Sequence, residues 1–185
     1  LDKEGWALET EDGVVMNGTT VEHIREAAAV MGQYCDILGF RSFPKLLNRE
    51  EDYGEGLFNK FVKYSGVPVI SLESATLHPL QSFADLITIE EYKKVAKPKV
   101  VLTWAPHVKS LPQAVPNSFS EWMCRAQAEG MIDFVITHPE GLELAEKFTP
   151  GAKIEYNQDI ALQGADFVYA KNWSSYLDYG KTVQH

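Results

Sequence analysis

Short runs rich in β-branched residues alternate with longer segments of helical period along this chain, and that alternation constrains the fold more than any other feature. Strand, helix and strand in succession close most readily as a right-handed crossover in a parallel sheet. The strands are expected at 36–40, 67–71, 99–104, 133–137, 153–156 and 166–170. Thr19, Thr20, Val21 and Glu22 read as a capping box, and Val21, Ile24, Ala28 and Met31 then repeat at helical spacing. Leu57, Phe61 and Tyr64 form a second apolar stripe, and Phe83, Leu86, Ile87 and Val95 place a helix over 81–95, closed by Lys97 and Pro98. A further helix is expected over 115–128, with short ones after Glu140 and Asn157.

The spacing predicts an α/β fold of two doubly wound parallel-sheet domains. A charged helix end meets a proline at 93–98 just before a fresh apolar strand, so the boundary is placed there, dividing the chain into 1–96 and 97–185. Halves of that size are small for α/β domains. Residues 5–9 read as extended, and the last residues carry no closing signal. Both domains are therefore expected to be incomplete, and the chain a piece of a longer one.

The 185 residues carry 26 acidic and 17 basic side chains, a formal net charge of −9, and 45% of them are hydrophobic. That apolar content suits a globular core. No apolar run approaches the ~18 residues of a membrane-crossing helix, and no basic-then-apolar leader is present. Cys35 and Cys124 form no CxxC pair, which fits a reducing, cytoplasmic setting and argues against a disulfide framework. Without a Lys/Arg cluster, nucleic acid is an unexpected partner. A small anion is compatible, because a pocket can be basic on an acidic protein.

In an open parallel sheet, ligands bind beyond the carboxyl ends of the strands. The residues there are Arg41, Ser42 and Phe43, then Glu73 and the run His78-Pro79-Leu80-Gln81, then His107, His138 and Lys171. Cations and imidazoles predominate, a set able to hold phosphate or carboxylate and polarise a carbonyl. Each also has a plainer reading. Arg41 could pair with a carboxylate, His78 could cap the helix opened by Pro79, and Glu73 could serve as a loop acid or cap. His107 could be a satisfied, partly buried histidine, Lys171 could lie along Trp173, and Trp6 could be core or interface. His138, followed by Pro139 and Glu140, reads as a helix start.

No GxGxxG, GxxxxGK[ST] or GxSxG occurs, and the five histidines show no metal-binding spacing. The chemistry left is catalysis by positioning and charge, and neither a cofactor nor a metal is expected.

The run His78-Pro79-Leu80-Gln81 resembles the HPxQ motif of the aspartate/ornithine transcarbamylase superfamily. The stretches 39–43, 77–91, 101–118 and 164–173 resemble its N-acylornithine branch, and the similarity runs along essentially the whole chain. The resemblance implies a carbamoyl-phosphate domain, an acceptor domain, and transfer of the carbamoyl group to the side-chain amine of N-succinylornithine or N-acetylornithine in arginine biosynthesis. By that resemblance Arg41, His78 and Gln81 would hold carbamoyl phosphate, and Trp6 would reach into a neighbouring subunit's site in a homotrimer with shared sites. Glu73, His107 and Lys171 would contact the acceptor.

The family's Ser-x-Arg-Thr phosphate loop and its His-Cys-Leu-Pro loop do not occur in these residues, so turnover is expected from a longer chain. Where succinyl enzymes of the branch carry Pro and acetyl enzymes Glu, ungapped alignment from Trp6 places Val21. An apolar residue there fits a succinyl group, whose carboxylate a Glu would repel. The alternatives are ornithine carbamoyltransferase and a non-catalytic α/β module.

Overall fold

The computed structural model describes residues 8–181. Two short strands, β1 (Leu8–Glu9) and β2 (Glu22–His23), pair in parallel ahead of helix α1 (Ile24–Gly32). The expected capping box does not form. Pairing with β1 holds Glu22 and His23 extended, and the His23 imidazole takes over as cap, its Nδ1 accepting from the Arg25 amide at 3.1 Å. Val21 consequently lies outside the helix and is exposed.

Strand β3 (Leu38–Arg41) pairs in parallel with β4 (Val69–Glu73). Between them run α2 (Arg49–Tyr53) and α3 (Gly56–Tyr64). The second of these follows the expected stripe. The first has no apolar stripe to reveal it; Asn48 starts it, its side chain accepting from the Glu50 and Glu51 amides. Ile24 and Ala28 of α1 pack with Phe61 of α3 and Phe40 of β3 in one core, the rings of Phe40 and Phe61 stacked at 4.1 Å.

Helix α4 (Pro79–Tyr92) leads to a four-stranded parallel sheet in the order β7-β6-β5-β8. Its strands are β5 (Lys99–Trp104), β6 (Asp133–Thr137), β7 (Lys153–Ile154) and β8 (Phe167–Lys171), with α5 (Ala114–Ala128) and α6 (Gln158–Leu162) as crossovers. Val100 and Leu102 face a core with Phe119 and Met123 of α5 and Ile89 of α4, whereas Val101 and Val135 face Ala161 of α6. Both faces of β5 are thus covered, as a near-continuous apolar strand requires.

His138 does not start a helix. Only a turn follows it, and a single 3-10 turn comes later at Glu146–Phe148. The ring is buried instead, packed edge-on to Tyr156 and Trp173, with Nδ1 2.8 Å from the Pro139 carbonyl. Among the described residues no helix is long and apolar enough to cross a membrane.

Candidate active site

Three residues expected just past strand ends are instead the final residues of strands: Arg41 of β3, Glu73 of β4 and Lys171 of β8. The register of β3 on β4 shifts between Phe40 and Arg41, so that Arg41 lies opposite Glu73 and Leu72 is skipped. Such an irregularity re-aims a side chain at the rim of a sheet. The guanidinium reaches Glu73 Oε2 through Nε at 2.9 Å and Nη2 at 2.6 Å, and its other face lies 4.5 Å from the Phe43 ring centroid. Nε2 of His78 stands 3.9 Å from the same oxygen.

The Glu73 side chain is only 9% exposed while that of Arg41 is 55% exposed, so a buried carboxylate anchors a guanidinium that still faces solvent. A planar fork held on one edge keeps its remaining N–H groups for a second anion or a carbonyl.

Glu55 holds the connection from β4 to α4, a role its sequence neighbourhood does not reveal. Its carboxylate accepts from Ser74 Oγ at 2.7 Å, the Thr76 amide at 2.9 Å and Thr76 Oγ1 at 2.6 Å. Its backbone is left-handed, with φ 52°, a conformation that non-glycine residues adopt at some cost and that clusters at functional sites. The connection ends at His78, whose amide donates to Ser118 Oγ of α5 at 2.7 Å. The His78 side chain does not cap α4, and its Nδ1 is buried without a hydrogen-bond partner. An open cavity of about 830 Å³ runs beside Ser42, Phe43, Glu55 and Ala75.

One turn along α4, Gln81 donates through Nε2 to the Tyr169 hydroxyl of β8 at 2.6 Å. Tyr169 and Lys171 alternate onto the same side of β8, and among the described residues Lys171 forms no ion pair with a carboxylate. His107 lies in the exposed loop after β5, where its Nδ1 accepts from the Lys109 amide at 3.1 Å. It borders a small cavity with Trp104, Asn172 and Trp173.

The fold therefore gathers Arg41, Glu73 and His78 around one carboxylate oxygen and links Gln81 to the strand that ends in Lys171. His107 shares only the neighbouring strand end. Val21 is 74% exposed and enters none of these contacts, and Trp6 lies outside the described residues. No three His, Cys, Asp or Glu side chains cluster as a metal ion would need, among the described residues. What the cluster offers is charge-assisted donors aimed at an anion or a polarised carbonyl.

Residues 5–91 match the family of the aspartate/ornithine carbamoyltransferase, carbamoyl-P binding domain. The chain is 60% identical to N-succinylornithine carbamoyltransferase of Bacteroides thetaiotaomicron, over 99% of this chain and 57% of that protein. It is 35% identical to N-acetylornithine carbamoyltransferase of Xylella fastidiosa, over 96% of this chain and 56% of the relative. A crystal structure of a glutamate-to-valine mutant of N-acetyl-L-ornithine transcarbamylase, complexed with carbamyl phosphate and N-succinyl-L-norvaline, superposes with a TM-score of 0.84 at 35% identity, covering 96% of this chain and 57% of that one. Acetylornithine transcarbamylase complexed with acetylcitrulline superposes equally well, with a TM-score of 0.84. The chain spans a little over half the length of the curated relatives it matches.

Proposed function

We infer that this chain belongs to the aspartate/ornithine carbamoyltransferase family, in its N-acylornithine branch, and we propose that the whole protein transfers a carbamoyl group from carbamoyl phosphate to the side-chain amine of N-succinylornithine. The observation that carries this reading is the convergence of Arg41 and His78 on Glu73 at the carboxyl ends of two parallel strands. Names of relatives at 60% identity supply the acceptor.

As a neutral amine attacks the carbamoyl carbon, negative charge grows on the carbamoyl oxygen and the phosphate leaves as an anion. Arg41, with Nη1 outside its pair with Glu73, and His78 stabilise that charge, while Gln81 accepts from the carbamoyl NH2 and fixes its orientation. Holding both reactants in line supplies the rest of the acceleration. On the acceptor side, Glu73 has Oε1, outside its pair with Arg41, to offer the amine, His107 would contact the backbone end, and Lys171 would take a carboxylate. The division at 93–98 then separates a carbamoyl-phosphate part, 1–96, from an acceptor part, 97–185.

Trp6 completes the carbamoyl-phosphate site of a neighbouring subunit in a homotrimer, and Val21 faces the acyl group there. An exposed apolar side chain suits this second role, since it leaves a succinyl carboxylate unrepelled. A glutamate-to-valine mutant of the acetyl enzyme bound to N-succinyl-L-norvaline supports the same reading. The protein would work in the cytoplasm, in arginine biosynthesis.

The test offers carbamoyl phosphate with ornithine, N-acetylornithine and N-succinylornithine in parallel to the whole protein, and measures the citrulline-type product. Turnover confined to N-succinylornithine is expected. Preference for ornithine would overturn the acceptor, and no turnover on any would overturn the reaction.

A further inference from the structure

We propose that Glu55 is a positioning residue for His78: its carboxylate sets the path of residues 74–78 and so fixes where the imidazole stands beside Glu73 and Arg41. This rests on the reading above that His78 meets the carbamoyl oxygen. Glu55 precedes α3, yet its side chain makes no cap hydrogen bond to that helix. It reaches instead to the β4–α4 connection, where the single oxygen Oε1 takes three donors: Ser74 Oγ at 2.7 Å, the Thr76 amide at 2.9 Å and Thr76 Oγ1 at 2.6 Å. Ser74 and Thr76 are buried, and hydrogen bonds to a charged acceptor are roughly twice as strong as neutral ones.

The imidazole has little else to fix it. Its Nδ1 is buried without a hydrogen-bond partner, it does not cap α4, and Nε2 is 3.9 Å from Glu73 Oε2, beyond hydrogen-bond reach. The ring therefore goes where the backbone carries it. On one side α5 holds that backbone: Asn117 Nδ2 donates to the Thr76 carbonyl at 3.2 Å, and the His78 amide donates to Ser118 Oγ at 2.7 Å. On the other side Glu55 decides. An ionised carboxylate only accepts, so the Ser74 hydroxyl proton goes to Glu55, and the Ser74 oxygen is left to accept from the Leu77 amide at 3.2 Å. Without Glu55 that proton would turn to the Leu77 carbonyl, 3.3 Å away, and Thr76 would lose both of its bonds to the carboxylate.

The backbone at Glu55 points the same way. Its φ of 52° is left-handed, and the residues on either side are Gly54 and Gly56, a type that adopts this conformation without steric cost. The chain places a glutamate there, and such strain persists where the surroundings over-determine it. Three bonds to one oxygen are that over-determination. Glu55 and Ala75 also line the cavity beside Ser42 and Phe43, the residues that follow Arg41, so the anchored connection borders the proposed site.

Steady-state kinetics of the whole protein at pH 7 test this. Glu55→Gly removes the carboxylate and relieves the left-handed backbone, so that a fall in activity is not a consequence of added strain. It is expected to lower kcat by about tenfold or more with the acceptor KM little changed, because a misplaced His78 weakens the transition state and not the ground state. In a His78→Ala background the same change is expected to cost nothing further, whereas a merely structural role would cost as much without the imidazole as with it. Equal losses in both backgrounds, or an undiminished kcat in the single variant, would overturn the inference. Should Glu55→Gly fold poorly, Thr76 decides: Thr76→Val, which loses the hydroxyl, is expected to lower kcat several-fold, and Thr76→Ser, which keeps it, to preserve kcat. Equal kcat in those two variants would overturn the inference. Wild-type turnover of His78→Ala would remove His78 from the site, and the inference with it, while the reaction would stand.

Discussion

Both bonds that Arg41 donates to Glu73 land on one oxygen, Oε2, at 2.9 and 2.6 Å, and neither reaches Oε1. The pair is thus side-on, with Nη1 of the guanidinium and Oε1 of the carboxylate both outside it. An end-on fork, with Nη1 and Nη2 each on one carboxylate oxygen, would have spent both.

Replacing Glu73 with Gln removes the charge that holds Arg41. Because the Arg41 side chain is 55% exposed, solvent screens the pair, and the cost in stability is expected to be about 1 kcal/mol or less. The cost in kcat/KM is expected to be tenfold or more, since a loose guanidinium no longer waits at the developing charge. Thermal unfolding and kinetics measured on the same preparation separate the two; a large loss of stability with intact kcat/KM would reverse the assignment.

Arg41→Ala removes the donor itself. Turnover is expected to fall by about two decades, the usual cost of losing one preorganised donor at an oxyanion. Retention of the wild-type rate would take Arg41 out of the chemistry and leave it a surface ion-pair partner.

Val21 is 74% exposed, so Val21→Glu is expected to change stability by no more than about 0.5 kcal/mol. Its effect belongs in selectivity: the ratio of kcat/KM for N-succinylornithine over N-acetylornithine should drop, because a carboxylate would face a carboxylate. An unchanged ratio in competition assays assigns acyl selection to another residue.

Gly32 ends α1, and a Cβ there would overlap the Ser65 carbonyl at the end of α3. Backbone cannot give way as a flexible side chain can, so Gly32→Ala is expected to cost about 2 kcal/mol or more through separation of the two helices. Urea unfolding of the variant should show a lower midpoint; an unshifted midpoint would mean that α1 and α3 slide apart freely.

Alkaline pH should destabilise the protein in steps. Burial raises the Cys124 thiol from 9.0 to about 11, and burial raises Tyr53 and Tyr169 from 10.0 to about 12. In each case the unfolded chain loses its proton first. Stability is therefore unaffected by these groups below pH 9, begins to fall as the unfolded thiol ionises, and falls further above pH 10 as the unfolded phenols follow. Melting temperatures across pH 8 to 11 test this, and Cys124→Ala should abolish the earliest part of the decline. The same burial predicts that iodoacetamide labels the half-buried Cys35 well before Cys124.

Strands β5 and β6 lie where the apolar runs place them, residue for residue, because strands covered on both faces read as unbroken hydrophobic segments. The ends of β3, β4 and β8 run one or two residues further than hydrophobicity indicates. Each closes on a charged residue, Arg41, Glu73 or Lys171, and the hydrogen-bond ladder continues after the apolar signal has stopped. The local pattern misleads where a distant segment competes: β1 captures Glu22 and His23 before they can cap a helix, and the Trp173 and Tyr156 rings enclose His138 where a helix start was expected.

The sequence by itself determined the parallel α/β plan, the order of its main strands and helices, and the concentration of cations and imidazoles at the strand ends. These are properties of neighbouring residues, and local periodicity and composition carry them. Only the tertiary structure decided that Arg41 takes Glu73, 32 positions away, and that Glu55 holds Thr76, 21 positions on. It alone set the Gln81 amide against Tyr169, 88 residues distant. Such pairings are fixed by the register of strands and the packing of helices. A one-residue slip between Phe40 and Arg41 chooses the partner of the guanidinium, and no spacing along the chain records it.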